Sequence, residues 1–473
     1  MKKLIPASIA LALSAPLSAM AQTPPLGALG APPEIQSLRQ EIEAMRTAYE
    51  TRLQALEQRL LAAERVTAAA PASQGTTAAP AQTVSATSPP AASPVALASS
   101  AGAANAFNPA MSLILSGGYT RTSRDPASYN ITGFQLPQGS AAGPGTRGFS
   151  LAESELGLAV NIDPWLRGVA NISLHPDNTV SVEEAFVQTT SLGKGLSVKA
   201  GRFFSGIGYL NPQHAHTWDF VDNPLAYQAL LGTQFGDDGV QLKWLAPTDQ
   251  YLELGAELGR GRSFPGSDTG RNGAGMSALT AHTGGDIGVS QNWRAGLSML
   301  NAKATDQGLT TLDTTGTLVS NAFTGSTRVW VLDGVWKWAP NGNATQTSFK
   351  LQGEYLRSTR TGSLSGANTT DAYRAVQSGW YVQGVYQFMP QWRVGLRTER
   401  LNAGTPDYGI NAASFATSAY KPSKNTLMLD FNPSEFSRFR LQLAQDRSRQ
   451  GLKDNQIFLQ YQMSLGAHGA HGY

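Results

Sequence analysis

The sequence predicts an all-β fold, an antiparallel transmembrane β-barrel of about sixteen strands, preceded by an α-helical coiled coil and a disordered linker; three observations carry that expectation. From Met111 to the C-terminus, stretches of about ten residues alternate apolar with polar or small side chains. Short and long connections take turns between those stretches, and an export signal opens the chain. In Tyr251-Leu-Glu-Leu-Gly-Ala-Glu-Leu-Gly259, Leu252, Leu254, Ala256 and Leu258 share one face while Glu253 and Glu257 share the other. One face suits lipid and the other suits water. A soluble sandwich also alternates, but its strands are usually nearer five or six residues and its turns do not sort into two length classes.

The elements follow in chain order. Met1-Lys2-Lys3 precedes an apolar run from Leu4 to Leu17, and Ala19-Met20-Ala21 is a small-x-small cleavage site, so residues 1–21 read as a signal peptide. That run is too short to span a bilayer. No later segment is apolar enough for a membrane helix, and a mean hydropathy of -0.22 suits strands that alternate. The chain has no cysteine, which excludes thiolate catalysis, thiolate metal sites and a lipid anchor on an N-terminal Cys. A net charge of +3 is too small to suggest nucleic acid.

After Pro32-Pro33, residues 34–66 read as one helix of roughly 50 Å. Ile35, Leu38, Ile42, Met45 and Tyr49 keep three-four spacing, and Leu53, Leu56, Leu60 and Ala63 resume it after a four-residue step. That is a coiled-coil seam with one stutter, expected to lie in the periplasm and to self-associate; a homotrimer through barrel and coiled coil is the expectation, although the seam does not fix the number of strands, and the alternative is an amphipathic helix lying on another surface. Residues 67–110 are almost wholly Ala, Pro, Ser, Thr and Gly, with no charge between Arg65 and Arg121, and read as a flexible tether.

Residues 111–473 form the expected barrel. Turn-forming clusters stand at Asp163-Pro164-Trp165, Leu192 to Gly195, Pro247 to Asp249, Gln291-Asn292, Pro340 to Asn343, Met389 to Gln391 and Asn432 to Glu435. Seven short turns imply sixteen strands, eight outer loops and both barrel ends in the periplasm. Trp165, Trp293 and Trp392 beside those turns fit an interfacial girdle.

A barrel of that size leaves an aqueous lumen, so a channel is the default expectation. Parity points Lys199, Lys243, Arg294, Arg328, Lys350, Arg393, Arg397, Arg438 and Arg440 inward, with Glu153, Glu155, Glu253, Glu257, Asp286, Asp333, Glu354 and Glu399. Most such charges merely solvate a lumen, but Arg393, Arg397, Arg438 and Arg440 come from neighbouring strands and suggest a basic wall. The longest excursion without alternation is 204–238, the third outer loop, which is aromatic and apolar and is therefore expected to fold inward as a constriction. It carries His214, His216, Asp219, Asp222, Asp237 and Asp238. Asp219 and Asp222 are expected to face the basic wall with solutes passing between. His214, His216, Asp219 and Asp222 are also zinc-type ligands by chemistry, although their spacing matches no tight motif; a pinning role for them is the first expectation and metal contact the second. The imidazoles of His468 and His471 in the tail are further candidates.

Lys199-Ala-Gly-Arg-Phe-Phe-Ser-Gly-Ile-Gly-Tyr209, His214-Ala-His216-Thr-Trp-Asp-Phe220 and Gly236-Asp-Asp-Gly-Val-Gln241 together resemble a proteobacterial family of porin-like outer-membrane proteins, over most of the chain after Met111. The Ala-Gly-Arg-Phe strand before a long loop also resembles the phosphate-selective porin O and P group, and the N-terminal coiled coil resembles that of sucrose porins. Members of the nearer family are sometimes labelled zinc-regulated TonB-dependent receptors, which implies metal-linked uptake. Here only a helix and a linker precede the barrel and no TonB box is evident, so TonB coupling is not expected, whereas a zinc association is retained. The expected partners are outer-membrane lipid and small solutes or ions, with no required cofactor.

An enzyme of the barrel-hydrolase kind needs Ser and His on the lipid face, and parity turns the strand candidate His282 inward, so no catalytic residue is expected. The alternative to a channel is a barrel anchor whose coiled coil tethers the outer membrane to the cell wall or a partner protein.

Overall fold

A sheet whose strands differ in their two faces loses its exposed edges when the first strand pairs with the last. In the computed structural model, β1 (Ala110–Thr122) runs antiparallel to β18 (Asp454–Gly466), with Ser112 opposite Gly466 and Thr122 opposite Gln456. Residues 110–466 are described, apart from 153, 268, 269, 271, 367 and 368. The predicted signal peptide, the coiled coil, nearly all of the linker, Glu153, His468 and His471 lie outside the described residues.

The wall continues from β1 through β4 (Ser154–Asn161), β5 (Leu166–Leu174), β6 (Val180–Thr189), β7 (Leu196–Phe204), β8 (Gly236–Leu245), β9 (Tyr251–Gly259) and β10 (Met276–Ile287). It is completed by β11 (Gln291–Leu312), β12 (Leu318–Trp338), β13 (Ser348–Ser365), β14 (Thr370–Met389), β15 (Trp392–Asn402), β16 (Ser423–Ser434) and β17 (Ser437–Arg447). These and β18 make an all-β, antiparallel, closed 16-strand barrel among the described residues. Two short strands, β2 (Leu136–Pro137) and β3 (Gly148–Leu151), add to β11 and β1.

Period two sorts the side chains. Along β12, Val329, Val331, Asp333 and Val335 are buried inside while Trp330 and Leu332 stand exposed outside. The outer face continues with Leu254, Leu279, Leu297, Leu351, Leu396 and Leu459, all exposed. This alternation also corrects one expectation. Arg328 has the parity of Trp330, not of Asp333, so it faces outward, where its Nε donates to Asn301 at 2.9 Å. No bulge separates residues 328 and 333 to reverse that parity.

The strands are longer than expected on one side. β11 to β14 run 22, 21, 18 and 20 residues, about twice the 9–11 that cross a bilayer. Polar residues expected in long loops are instead paired in prolonged strands. Two turns also shift: Gln291 and Asn292 begin β11, and Asn432 to Ser434 end β16.

The interior is not uniformly wet. Between β7 and β8 the segment 205–235 enters the barrel and folds a short helix, Leu225–Leu231, ended by Gly232 in the left-handed conformation at φ 68. Ile207, Leu210, Leu225, Tyr227, Leu230 and Phe235 pack with Met276, Leu300, Val329, Leu356, Tyr381 and Leu401 of the wall. Burying each such side chain contributes roughly 1.5–3 kcal/mol, which holds this aromatic and apolar segment in place. Its bounds are narrower than expected, because Asp237 and Asp238 belong to β8. Asp238 pairs with Arg202 at 2.6 Å, and Asp237 accepts from the backbone N–H groups of Gly261 and Arg262, so both belong to the wall and not to the inner segment.

Candidate pore constriction

Three sets of wall residues hold the inner loop. At its start, the carboxylate of Glu257 accepts from Ser205 Oγ at 2.5 Å and from the Gly206 N–H at 2.8 Å. In its middle, Glu354 accepts from the Leu210 N–H at 2.9 Å, from Tyr227 at 2.8 Å and from Tyr381 at 2.7 Å. These bonds satisfy carboxylates that burial among apolar side chains would otherwise leave costly.

The basic side is denser. Asp222 receives Arg397 Nη2 at 2.8 Å and the ammonium of Lys424, while Arg397 also bonds Glu399 at 2.7 Å. Asp219 receives the ammonium of Lys350 and lies 3.6 Å from Arg393, which itself bonds Asp430 at 2.6 Å. Arg438 donates to the carbonyl of His216 at 3.1 Å, and Arg440 to that of Trp218 at 3.0 Å. Arg393, Arg397, Arg438 and Arg440 therefore lie together on β15 and β17, but no gap separates them from Asp219 and Asp222, because Arg393 and Arg397 touch these groups. Burial of the apolar loop residues closes that gap. Burial opposes ionisation of Asp222, yet Lys424 and Arg397 outweigh it and hold the carboxyl well below the usual range. Asp219 is likewise lowered, burial being overcome by Lys350 and Arg393.

The acidic side holds the histidines. In β6, Asn171 of β5 opposes Glu184 while its neighbour Ile172 opposes Val182, so Glu183 is an extra, bulged residue. The bulge turns two successive carboxylates inward, where strict alternation would send one outward. Glu183 lies 3.0 Å from His214 Nδ1, and Glu184 lies 2.9 Å from its Nε2. Glu155 Oε2 of β4 is 3.1 Å from His214 Nδ1 and 3.2 Å from His216 Nδ1. Burial disfavours charge on His214, but the nearby carboxylates of Glu155, Glu183 and Glu184 prevail and raise its pKa well above the ordinary imidazole value. The four proposed ligands thus divide: His214 and His216 meet Glu155, whereas Asp219 and Asp222 are taken by cations.

The remaining lumen charges lie on the inner face. Lys199 sits 4.2 Å from the Phe186 ring, Lys243 pairs with Glu253 at 3.1 Å, and Arg294 stacks 5.4 Å from Tyr209 of the loop. His282 is buried inside, 3.6 Å from Glu253, and so is not placed for catalysis at the outer face. Sequence reasoning missed Glu183, Glu184, Lys424 and Asp430. The Glu183-Glu184 pair was the available signal, since adjacent charges in a lipid-facing strand require a bulge.

No family model matches the chain. Similar solved structures include an OmpT loop-deletion variant of Vibrio cholerae (TM-score 0.47, 9% identity, 76% of this chain and 99% of that one). The anion-selective porin of Comamonas acidovorans has a TM-score of 0.47 at 9% identity, with the same coverage, 76% and 99%. The outer-membrane channel DcaP of Acinetobacter baumannii has a TM-score of 0.43 at 12% identity, covering 75% and 96%. A protein of Aquifex aeolicus (strain VF5) described as uncharacterized is 33% identical over 343 residues, 69% of this chain and 70% of that protein. On that extent of identity, the chain belongs to the family of the Aquifex aeolicus protein.

Proposed function

We propose that the protein is an outer-membrane, porin-like channel for small solutes or ions, constricted by the inner part of the segment 204–238. The observation that carries this reading is the inversion of the barrel: large apolar side chains cover its outside while Glu257, Asp333, Glu354, Arg397, Lys424, Asp430 and Arg440 point into it. Such a surface needs lipid, and such an interior needs water. The side chains that keep contact with water beside the loop define the path. Lys350 and Arg393 remain 23% and 27% exposed, against 2% and 1% for Lys424 and Arg397, so the first pair meets solutes and the second holds the loop. Glu253 and Lys243 line the same path from β9 and β8. A passage with fixed charges of both signs screens solutes by charge and dipole.

Reconstitution of the purified chain into planar bilayers tests the reading. Stepwise conductance is expected, and its absence from a correctly folded barrel would overturn the channel. The seam at Ile35 to Leu60 supports a homotrimer with the coiled coil in the periplasm. Mass in mild detergent checks it, and a monomer would sink that part alone.

A further inference from the structure

We infer that Glu155, Glu183, His214 and His216 form a binding site for one divalent transition-metal ion of the zinc class, which fastens the inner loop to β4 and β6. The argument starts from the donors. One ligand atom from each of Glu155, His214 and His216 lies within 4.8 Å of the others, and Glu183 Oε2 stands 3.0 Å from His214 Nδ1. Four donors at about 2.0–2.1 Å from a common ion in tetrahedral array lie about 3.3 Å from one another. The observed separations of 3.0, 3.1 and 3.2 Å already approach that edge.

The surroundings of His214 point the same way. Its far nitrogen, Nε2, is 2.9 Å from Glu184 and 3.0 Å from Asn171. Nε2–H donates to Glu184 while Nδ1 faces Glu155 and Glu183, so an ion that displaced the Nδ1 proton would meet an imidazole already oriented from behind by a carboxylate, as metal-bound imidazoles are. Glu155 supplies a second, independent sign. Its Oε2 is buried and, among the described residues, accepts no well-aligned hydrogen bond, although two imidazole nitrogens stand near it. A metal ion between the two imidazoles and Glu155 would satisfy that acceptor directly. Two imidazoles with two carboxylates favour zinc, cobalt, nickel or copper over calcium and magnesium, which take oxygen ligands. Asp219 and Asp222 are excluded, since Lys350, Arg393, Arg397 and Lys424 occupy them.

The site is tested on the full chain, folded in detergent and stripped with a chelator, by equilibrium dialysis against Zn²⁺ and by visible absorption after adding Co²⁺. The inference expects one ion per chain, a Co²⁺ spectrum of low coordination number and at least tenfold weaker binding of Ca²⁺. Glu183→Gln and His216→Ala should each weaken Zn²⁺ binding tenfold or more, and Glu184→Gln, acting behind His214, by about 10–100-fold. Heat-modifiable migration on gels confirms that each variant barrel is folded; if one is not, Glu184→Gln carries the test. No Zn²⁺ binding by the folded chain, equal affinity for Ca²⁺, or unchanged affinity in folded Glu183→Gln and Glu184→Gln would overturn the site. None of these readouts requires conductance, so failure of the site and failure of the channel reading are separable.

Discussion

His214 and His216 are held to β4 and β6 by carboxylates, whereas a few residues further along Asp222 is held to β15 and β16 by a guanidinium and an ammonium. The two anchors use the same kind of ion pair with the signs exchanged, and they differ in what can switch them off. Arg397 and Lys424 stay charged across any physiological pH, so the basic anchor has constant strength. His214 holds the acidic anchor only while a proton or a metal ion supplies positive charge. One loop therefore has a permanent hinge side and a conditional side.

The largest test of this contrast removes the permanent side. Asp222→Ala leaves Arg397 and Lys424 buried without their shared partner, a loss of about 3–5 kcal/mol in loop docking. Larger and noisier conductance steps, with faster proteolysis of the inner loop, are expected, and unchanged steps would show that the apolar contacts of Leu225 and Tyr227 suffice. For the same reason, changing both Asp219 and Asp222 to Asn should disturb the loop as well as selectivity, contrary to what a solvated position would allow.

A smaller loss is expected on the conditional side. His214→Ala removes hydrogen bonds to ionised partners, each contributing about 1.5–3 kcal/mol, but it also frees Glu184 toward water near the lumen. Current noise should rise while the mean conductance changes less than in Asp222→Ala. The reverse order would contradict the assignment of roles.

Acid separates the anchors by pH. Asp222 and Asp219 have pKa values lowered by their cationic partners, so their contribution is complete above the ordinary carboxylate value of about 3.9 and is lost only as pH falls through the lower folded values. Conductance governed by the basic anchor should be flat from neutral pH down to about 4 and rise below it. A transition on that limb well above this point would place control elsewhere.

The smallest effect on structure is expected where water already reaches. Lys350→Gln removes a half-solvated charge and leaves Asp219 paired with Arg393. Reversal potentials in a salt gradient should move toward cations with the barrel intact, and an unmoved potential would take Lys350 off the solute path.

Fold was legible because period two is a local property. Tyr251 to Gly259 announces its two faces within nine residues, and the turn at Asp163-Pro164-Trp165 announces its own reversal. Arg328 shows the limit of that reading: the parity count that placed it inward is off by one residue, and the paired register of its strand turns it outward. The loop's entry into the barrel was legible from its aromatic residues, and the basic wall from Arg393, Arg397, Arg438 and Arg440. Which acid met which base was not. Lys424 reaches Asp222 across 202 positions, and no local pattern records a contact of that range. The Glu183 bulge is intermediate, since its cause is local but its consequence depends on where His214 arrives.

The long reach of the loop's anchors also constrains the order of assembly. Arg438 and Arg440 bond the carbonyls of His216 and Trp218 across 222 positions each, so these contacts wait until β17 has joined the sheet, whereas Glu184 and Glu257 can hold the loop earlier, across 30 and 51 positions. Loop closure over such distances is slow compared with forming adjacent hairpins. The last contacts of the loop to form are thus those on β15 to β17, and their presence reports completion of the wall.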